Sequence, residues 1–191
     1  MICVFAGSAR RVAARDLDLG ARLGRVLAAS GAPIVDGGGS TGCMGAVADA
    51  ALAAGGHVVG VVPRGLFHRE EVHPDIDLVE VDSLHQRKQV MLEMADAFVA
   101  LPGGLGTLDE VGEVLTWAQL GIHAKPLVFV DPDGYWDGVL RWIDAAIDQG
   151  YVATPSRGFF AVVASADAVL PAIEAYSPPA AERGPLTREQ T

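Results

Sequence analysis

The sequence predicts a doubly wound α/β fold, a parallel sheet flanked by helices, built as a single domain over residues 1–176. Three observations carry that expectation. Unbroken apolar runs of strand length recur along the chain: MICVFA, APIVD, HVVGVV, AFVAL, PLVFV and FFAVV. Strands covered on both faces have no polar side, so they lack the alternation of a half-exposed strand. Longer segments with helical spacing separate these runs, and glycine-rich turns follow three of them.

The helical segments are expected at about residues 11–29, 42–55, 83–95, 107–121, 136–149 and 165–175. In the first, Val12, Leu19, Leu23, Val26 and Leu27 make an apolar stripe at helical spacing. Ser83 reads as the cap that opens the third, with Leu84, Met91 and Met94 turned inward. LVEV, residues 78–81, adds a further short strand. The alternation has the order of a Rossmann-like sheet. Residues 177–191 are proline-bearing, polar and aperiodic, and are expected to be disordered.

Half of the 191 residues are hydrophobic and mean hydropathy is +0.30, as for a chain that buries a substantial core. A net charge of −10 and a pI near 4.8 argue against nucleic acid or an anionic membrane as partner. They leave room for one local phosphate site, where a few backbone amides and an arginine suffice. Cys3 and Cys43 lie in apolar or glycine-rich surroundings and read as buried, reduced thiols. The amino terminus begins as a strand without a basic leader, and no apolar run approaches the ~18 residues of a membrane span. A cytoplasmic location follows as the expectation.

The three strand-to-helix turns are AGSAR (6–10), DGGGSTGCMG (36–45) and LPGGLGTLDE (101–110). Glycine lets backbone N–H groups approach an anion, and the following helix N-terminus adds partial positive charge. Gly38, Gly39, Gly103, Gly104, Gly106 and Thr107 are therefore candidate phosphate ligands, with the Ser8 and Ser40 hydroxyls beside them. Gly37-x-Gly39-x-x-Gly42 matches the dinucleotide fingerprint, but HVVGVVPRG ends the next strand without the expected acid. No Gly-Lys-Ser or Gly-Lys-Thr follows either glycine run. A mononucleotide or sugar phosphate suits these loops best.

On the helix after the third turn, Glu110, Glu113 and Trp117 share a face. Thr107 to Glu110 also spells T-x-x-E, a capping box in which Glu110 would satisfy a backbone N–H. Taken alone, Glu113 is ordinary solvated helix surface. Arg87 and Lys88 fall in the amino-terminal half of their helix, against the macrodipole, and need either an exposed rotamer or an anionic partner. The exposed rotamer is the reading from the residues alone. The five histidines show no ligand spacing, so no metal and no cofactor is expected.

At PGGLGTLDE the chain resembles the LOG (Lonely guy) family, the cytokinin riboside 5′-monophosphate phosphoribohydrolases, whose motif is P-G-G-x-G-T-x-x-E. The resemblance extends through GGGSTGCMGAVADAALAAGG, VDSLHQRKQ, the stretch around the motif, and DGYWDGVL, over roughly residues 1 to 175. It implies a Rossmann-like homodimer, or an assembly of dimers, that cleaves the N-glycosidic bond of a nucleoside 5′-monophosphate. It also implies that Glu110 and Arg87 are catalytic and that Lys88, Gly104, Gly106, Thr107 and Thr116 surround the substrate, with Glu113 beside them. An acid before the H-x-R-K block contributes in relatives, and Glu70 or Glu71 is offered here. Cys43 stands where the family's G-L-M-G has leucine, and Gln86 where glutamate is frequent. A lysine decarboxylase label attaches to some relatives, yet no lysine here sits in a recognisable Schiff-base context. The alternatives are a non-catalytic nucleotide or molybdenum-cofactor carrier on the same fold, or a glycosidase for another base.

Overall fold

In the structure, a computed structural model that describes residues 1–65 and 72–179, the apolar runs assemble into one sheet of seven strands. These are β1 (Ile2–Phe5), β2 (Ile34–Asp36), β3 (Val58–Pro63), β4 (Asp77–Val81), β5 (Ala97–Ala100), β6 (Leu127–Val130) and β7 (Phe160–Val163). Their order is β4-β3-β2-β1-β5-β6-β7, and every pairing is parallel. The helices are α1 (Ala14–Ser30), α2 (Gly42–Ala53), α3 (Leu84–Met94), α4 (Leu105–Gln119), α5 (Asp137–Asp148) and α6 (Val169–Glu174). Glu70, Glu71 and residues 180–191 lie outside the described residues.

The pleat explains why each strand is apolar throughout. Ile2, Val4, Val99, Val128 and Val130 join one core layer with Leu23 and Leu27 of α1, Val47 of α2 and Val169 of α6. Their neighbours Cys3, Phe5, Phe98, Leu127 and Phe129 join the opposite layer with Met91 of α3, and Val111 and Val114 of α4. Each strand thus feeds two cores at once. Helix α1 comes close to α2 through glycine: a β-carbon on Gly24 would fall 2.3 Å from the Val47 carbonyl oxygen.

From α1 to α5 the helix boundaries follow the expectation within three residues, and the capping reading that changes is at the start of α4. That helix begins at Leu105 with Gly104 as its N-cap, so Thr107 lies inside the first turn and caps nothing. The capping-box reading of Thr107 and Glu110 is corrected accordingly. At α3 the expected cap holds: Ser83 Oγ accepts the Gln86 N–H at 3.1 Å. The segment expected as one helix over 165–175 divides into a 3-10 turn, Ala166–Ala168, and α6. The chain winds outward from β1 to β4 and then returns to place β5 on the other side of β1. Beyond the carboxyl ends of β1 and β5 the two halves diverge, which opens a crevice.

Candidate active site

The three glycine-bearing turns meet at that crevice. Gly7 N–H donates to the Pro102 carbonyl at 3.1 Å, and a β-carbon on Gly7 would sit 3.1 Å from Gly103 Cα. The turn after β2 locks onto the turn after β1 through Thr41 Oγ1 to the Ser8 carbonyl (2.6 Å) and Met44 N–H to the Gly7 carbonyl (3.2 Å). The Ser8 β-carbon lies 3.3 Å from where Gly39 would carry its own. Ser8, Gly38, Gly39, Ser40, Gly103 and Gly104 therefore occupy one edge of the sheet. The amides of Leu105, Gly106 and Thr107 form the first turn of α4, where N–H groups have no intrahelical acceptor.

Facing these turns, α3 and α4 bring Arg87 and Glu110 together. Arg87 Nη2 stands 3.6 Å from Glu110 Oε1, with side-chain exposures of 13% and 9%. The exposed-rotamer reading of Arg87 and Lys88 is corrected: both cations are held by acids. Lys88 Nζ lies 3.0 Å from Asp109 Oδ2 and 3.1 Å from Glu113 Oε2. Arg87 is also pressed against the turn after β2, where a β-carbon on Gly37 would fall 1.7 Å from Nη2. Arg87, Lys88, Gly106, Asp109 and Glu110, with Leu84 and His85, line a cavity of about 410 Å³.

Burial decides the proton affinity of Glu110. Its pKa is raised to about 7, first by desolvation and then by Asp109 and Asp36, while Arg87 and Lys88 pull it down. The Arg87 pair, beyond hydrogen-bond distance, does not offset the loss of water. Near neutral pH the carboxyl therefore exchanges a proton readily, the range expected of an acid–base group.

Thr116 goes elsewhere. Its hydroxyl donates to the Gly112 carbonyl at 2.7 Å, and it lines a second, apolar groove of about 500 Å³ between α4 and α5, beside exposed Trp142. Both cysteines are free and buried, and burial pushes Cys43 up to about 11. Three neighbours of the site went unassigned in the sequence. Asp109 pairs with Lys88. The Tyr135 hydroxyl donates to the Gly103 carbonyl, with Asp131 Oδ1 accepting the Tyr135 N–H at 2.7 Å. Asp36 lies buried at the end of β2. For Asp36 a signal existed, an acid that ends an apolar strand directly before three glycines.

Sheet and crevice place the molecule among Rossmann-like α/β proteins with a ligand cleft at the switch point. The chain belongs to the family whose model, described as "Possible lysine decarboxylase", matches residues 44–173, and which includes the LOG proteins. It is 45% identical over 179 residues to a probable cytokinin riboside 5′-monophosphate phosphoribohydrolase, LOGL5 of Oryza sativa subsp. japonica, covering 93% of this chain and 73% of that one. It is 43% identical to the cytokinin riboside 5′-monophosphate phosphoribohydrolase LOG of the same plant, with 93% and 74% covered. Among solved structures, a molybdenum cofactor binding protein from Rippkaea orientalis matches with a TM-score of 0.69 at 20% identity, covering 91% of this chain and 94% of that one. The molybdenum cofactor carrier protein of Chlamydomonas reinhardtii matches at 0.69 and 22%, with the same coverage. These two share the fold. The chain's two lysines are both engaged, Lys88 by two carboxylates and Lys125 by the Leu92 carbonyl at 2.7 Å.

Proposed function

We propose that this protein hydrolyses the N-glycosidic bond of a purine nucleoside 5′-monophosphate, of cytokinin or AMP type, to free base and ribose 5-phosphate. The observation that carries the reading is the buried Arg87–Glu110 pair beneath amide-rich turns, in a chain 40–45% identical to relatives named for this activity. The molybdenum-cofactor carriers share only the fold, at 20–22% identity.

The residues divide the work by charge. Backbone amides of Gly103 to Thr107, with Ser8, Gly38, Gly39 and Ser40, hold the 5′-phosphate, and Lys88 and Glu113 frame that edge. As the C1′–N bond breaks, its electron pair leaves with the base and positive charge builds on C1′ and the ring oxygen. Ionised Glu110 stabilises that charge and takes the proton from the attacking water, whose oxygen bonds to C1′, while the departing base takes a proton from solvent to become the free base. Arg87 holds Glu110 and the sugar in register. A nucleoside lacking its phosphate reacts poorly, because the anchoring energy is lost.

The test is base release from AMP and from an N6-prenylated analogue, followed by chromatography. Glu110→Gln and Arg87→Ala are each expected to lower turnover at least ~1000-fold with the circular dichroism spectrum unchanged. Near wild-type turnover in Glu110→Gln removes the hydrolase assignment.

The protein works as a homodimer or an assembly of dimers in the cytoplasm. The groove between α4 and α5, with Trp142 68% exposed at its side, is the apolar face that favours a second copy. Free buried thiols suit a reducing compartment, and no described helix is long and apolar enough to cross a membrane. The acidic composition disfavours nucleic acid. Trp142→Glu is expected to halve the mass seen by light scattering; an unchanged mass moves the interface elsewhere.

A further inference from the structure

We propose that Tyr135 is a positioning residue for phosphate recognition: its hydroxyl fixes the peptide between Gly103 and Gly104, so that the Gly104 amide stays aimed at the anion. The proposal rests on the phosphate role given above to the turn after β5.

Three successive carbonyls of that turn are held in different ways. The Pro102 carbonyl accepts the Gly7 N–H at 3.1 Å, and the Gly104 carbonyl accepts the Leu108 N–H at 3.0 Å, inside α4. The Gly103 carbonyl between them accepts the Tyr135 hydroxyl, its only partner among the described residues. Local structure does not hold this middle peptide. A trans peptide rotates as a rigid plate through the ψ before it and the φ after it, and glycine on both sides removes the β-carbons that resist. Position 103 cannot carry a larger residue, because its β-carbon would fall 2.1 Å from Thr107 Oγ1. Gly104 is the N-cap of α4 and has no side chain to fasten the turn. The fastening comes from the loop after β6.

That loop is itself anchored. Asp131 Oδ1 accepts the Tyr135 N–H at 2.7 Å, and Asp131 Oδ2 accepts the Trp136 N–H at 3.1 Å. Trp136 is buried edge-on against Phe129 of β6, with ring centroids 5.1 Å apart, and the Tyr135 ring stands edge-on to Trp136 at 5.2 Å. The ring is half exposed, yet backbone and neighbouring ring fix where its hydroxyl reaches. In a trans peptide the C=O and the following N–H point opposite ways. A Gly103 carbonyl held toward Tyr135 therefore turns the Gly104 N–H away from it. That N–H has no acceptor among the described residues, and no protein atom lies within 4 Å of where a β-carbon on Gly104 would stand. A flipped plate would present a carbonyl oxygen to the phosphate and repel it. Phosphate affinity then scales with the share of molecules whose plate is correctly turned.

Tyr135→Phe keeps the ring on Trp136 and removes only the hydroxyl. The KM for AMP is expected to rise about tenfold, the net worth of one hydrogen bond, while kcat changes by no more than about threefold. A KM at the wild-type value overturns the proposal and leaves Tyr135 as a fastener of its own loop. A second readout needs no turnover. In protein carrying 15N-labelled glycine, the Gly104 amide signal, identified by its loss in Gly104→Ala, is followed as ribose 5-phosphate is added. Tyr135→Phe is expected to need about tenfold more ligand than the wild type for the same shift. Equal affinity in the two proteins refutes the proposal, as does a wild-type Gly104 signal indifferent to ribose 5-phosphate. Should the wild type release no base from any nucleoside monophosphate, the assigned reaction fails, while the Gly104 titration still decides what Tyr135 does.

Discussion

The turn after β2 and the turn after β5 are both glycine-rich, yet their glycines answer different demands. In the first, the protein itself needs them. Gly42 has φ +65°, and a β-carbon there would lie 2.5 Å from the Gly7 carbonyl oxygen; one on Gly45 would lie 2.3 Å from that of Ser40. In the second, a methyl group on Gly104 or Gly106 would meet no protein atom within 4 Å, and neither has positive φ. The first turn is scaffold, glycine because backbone packs on backbone. The second leaves bare amides open at a helix start, the face that the proposed function turns toward the phosphate. Gly103 belongs with the scaffold, since Thr107 packs against it at 2.1 Å from a β-carbon position.

Gly42→Ala tests the scaffold side and carries the largest effect. It combines a strained backbone with a clash against carbonyls, and is expected to cost about 3 kcal/mol or more in urea unfolding. A variant as stable as the wild type breaks the distinction.

Next in size is a stabilisation at the crevice itself. Glu110 has a folded-state pKa of about 7 against an ordinary value of 4.5. Between those limits the folded protein binds more protons than the unfolded chain, so stability falls as pH rises from about 4.5 through about 7. Glu110→Gln removes that penalty. It is expected to unfold at higher denaturant at pH ~8, by up to about 3 kcal/mol, with the gain fading as pH approaches ~4.5. Equal stability of the two proteins at both pH values would show that burial does not strain this carboxyl.

Smallest in stability, though not in function, are Gly104→Ala and Gly106→Ala. Each is expected to change unfolding free energy by no more than about 1 kcal/mol while raising the KM for AMP about tenfold or more. An unchanged KM would return both glycines to the scaffold.

The strands were legible because a parallel sheet buried on both faces leaves an apolar run that no helix of this chain imitates. LVEV at the β4 edge was the faintest, since Asp77, Leu78 and Glu80 are exposed there. The start of α4 was misread because T-x-x-E satisfies the pattern of a cap wherever the helix begins; Gly104 carries no side chain to announce that it is the N-cap. Arg87 and Lys88 read as solvent-facing because position on a helix says nothing of what packs across from it. Tyr135 escaped because its partner, Gly103, is 32 residues away.

The strands, the three glycine turns and the residues Arg87 and Glu110 were determined by the sequence alone, because local periodicity and motif spacing are written along one dimension. The tertiary structure decided which charges meet: Arg87 with Glu110, and Lys88 with Asp109 and Glu113. Desolvation and Coulomb interaction depend on distance in space and on the exclusion of water, and neither is a property of any single stretch of chain.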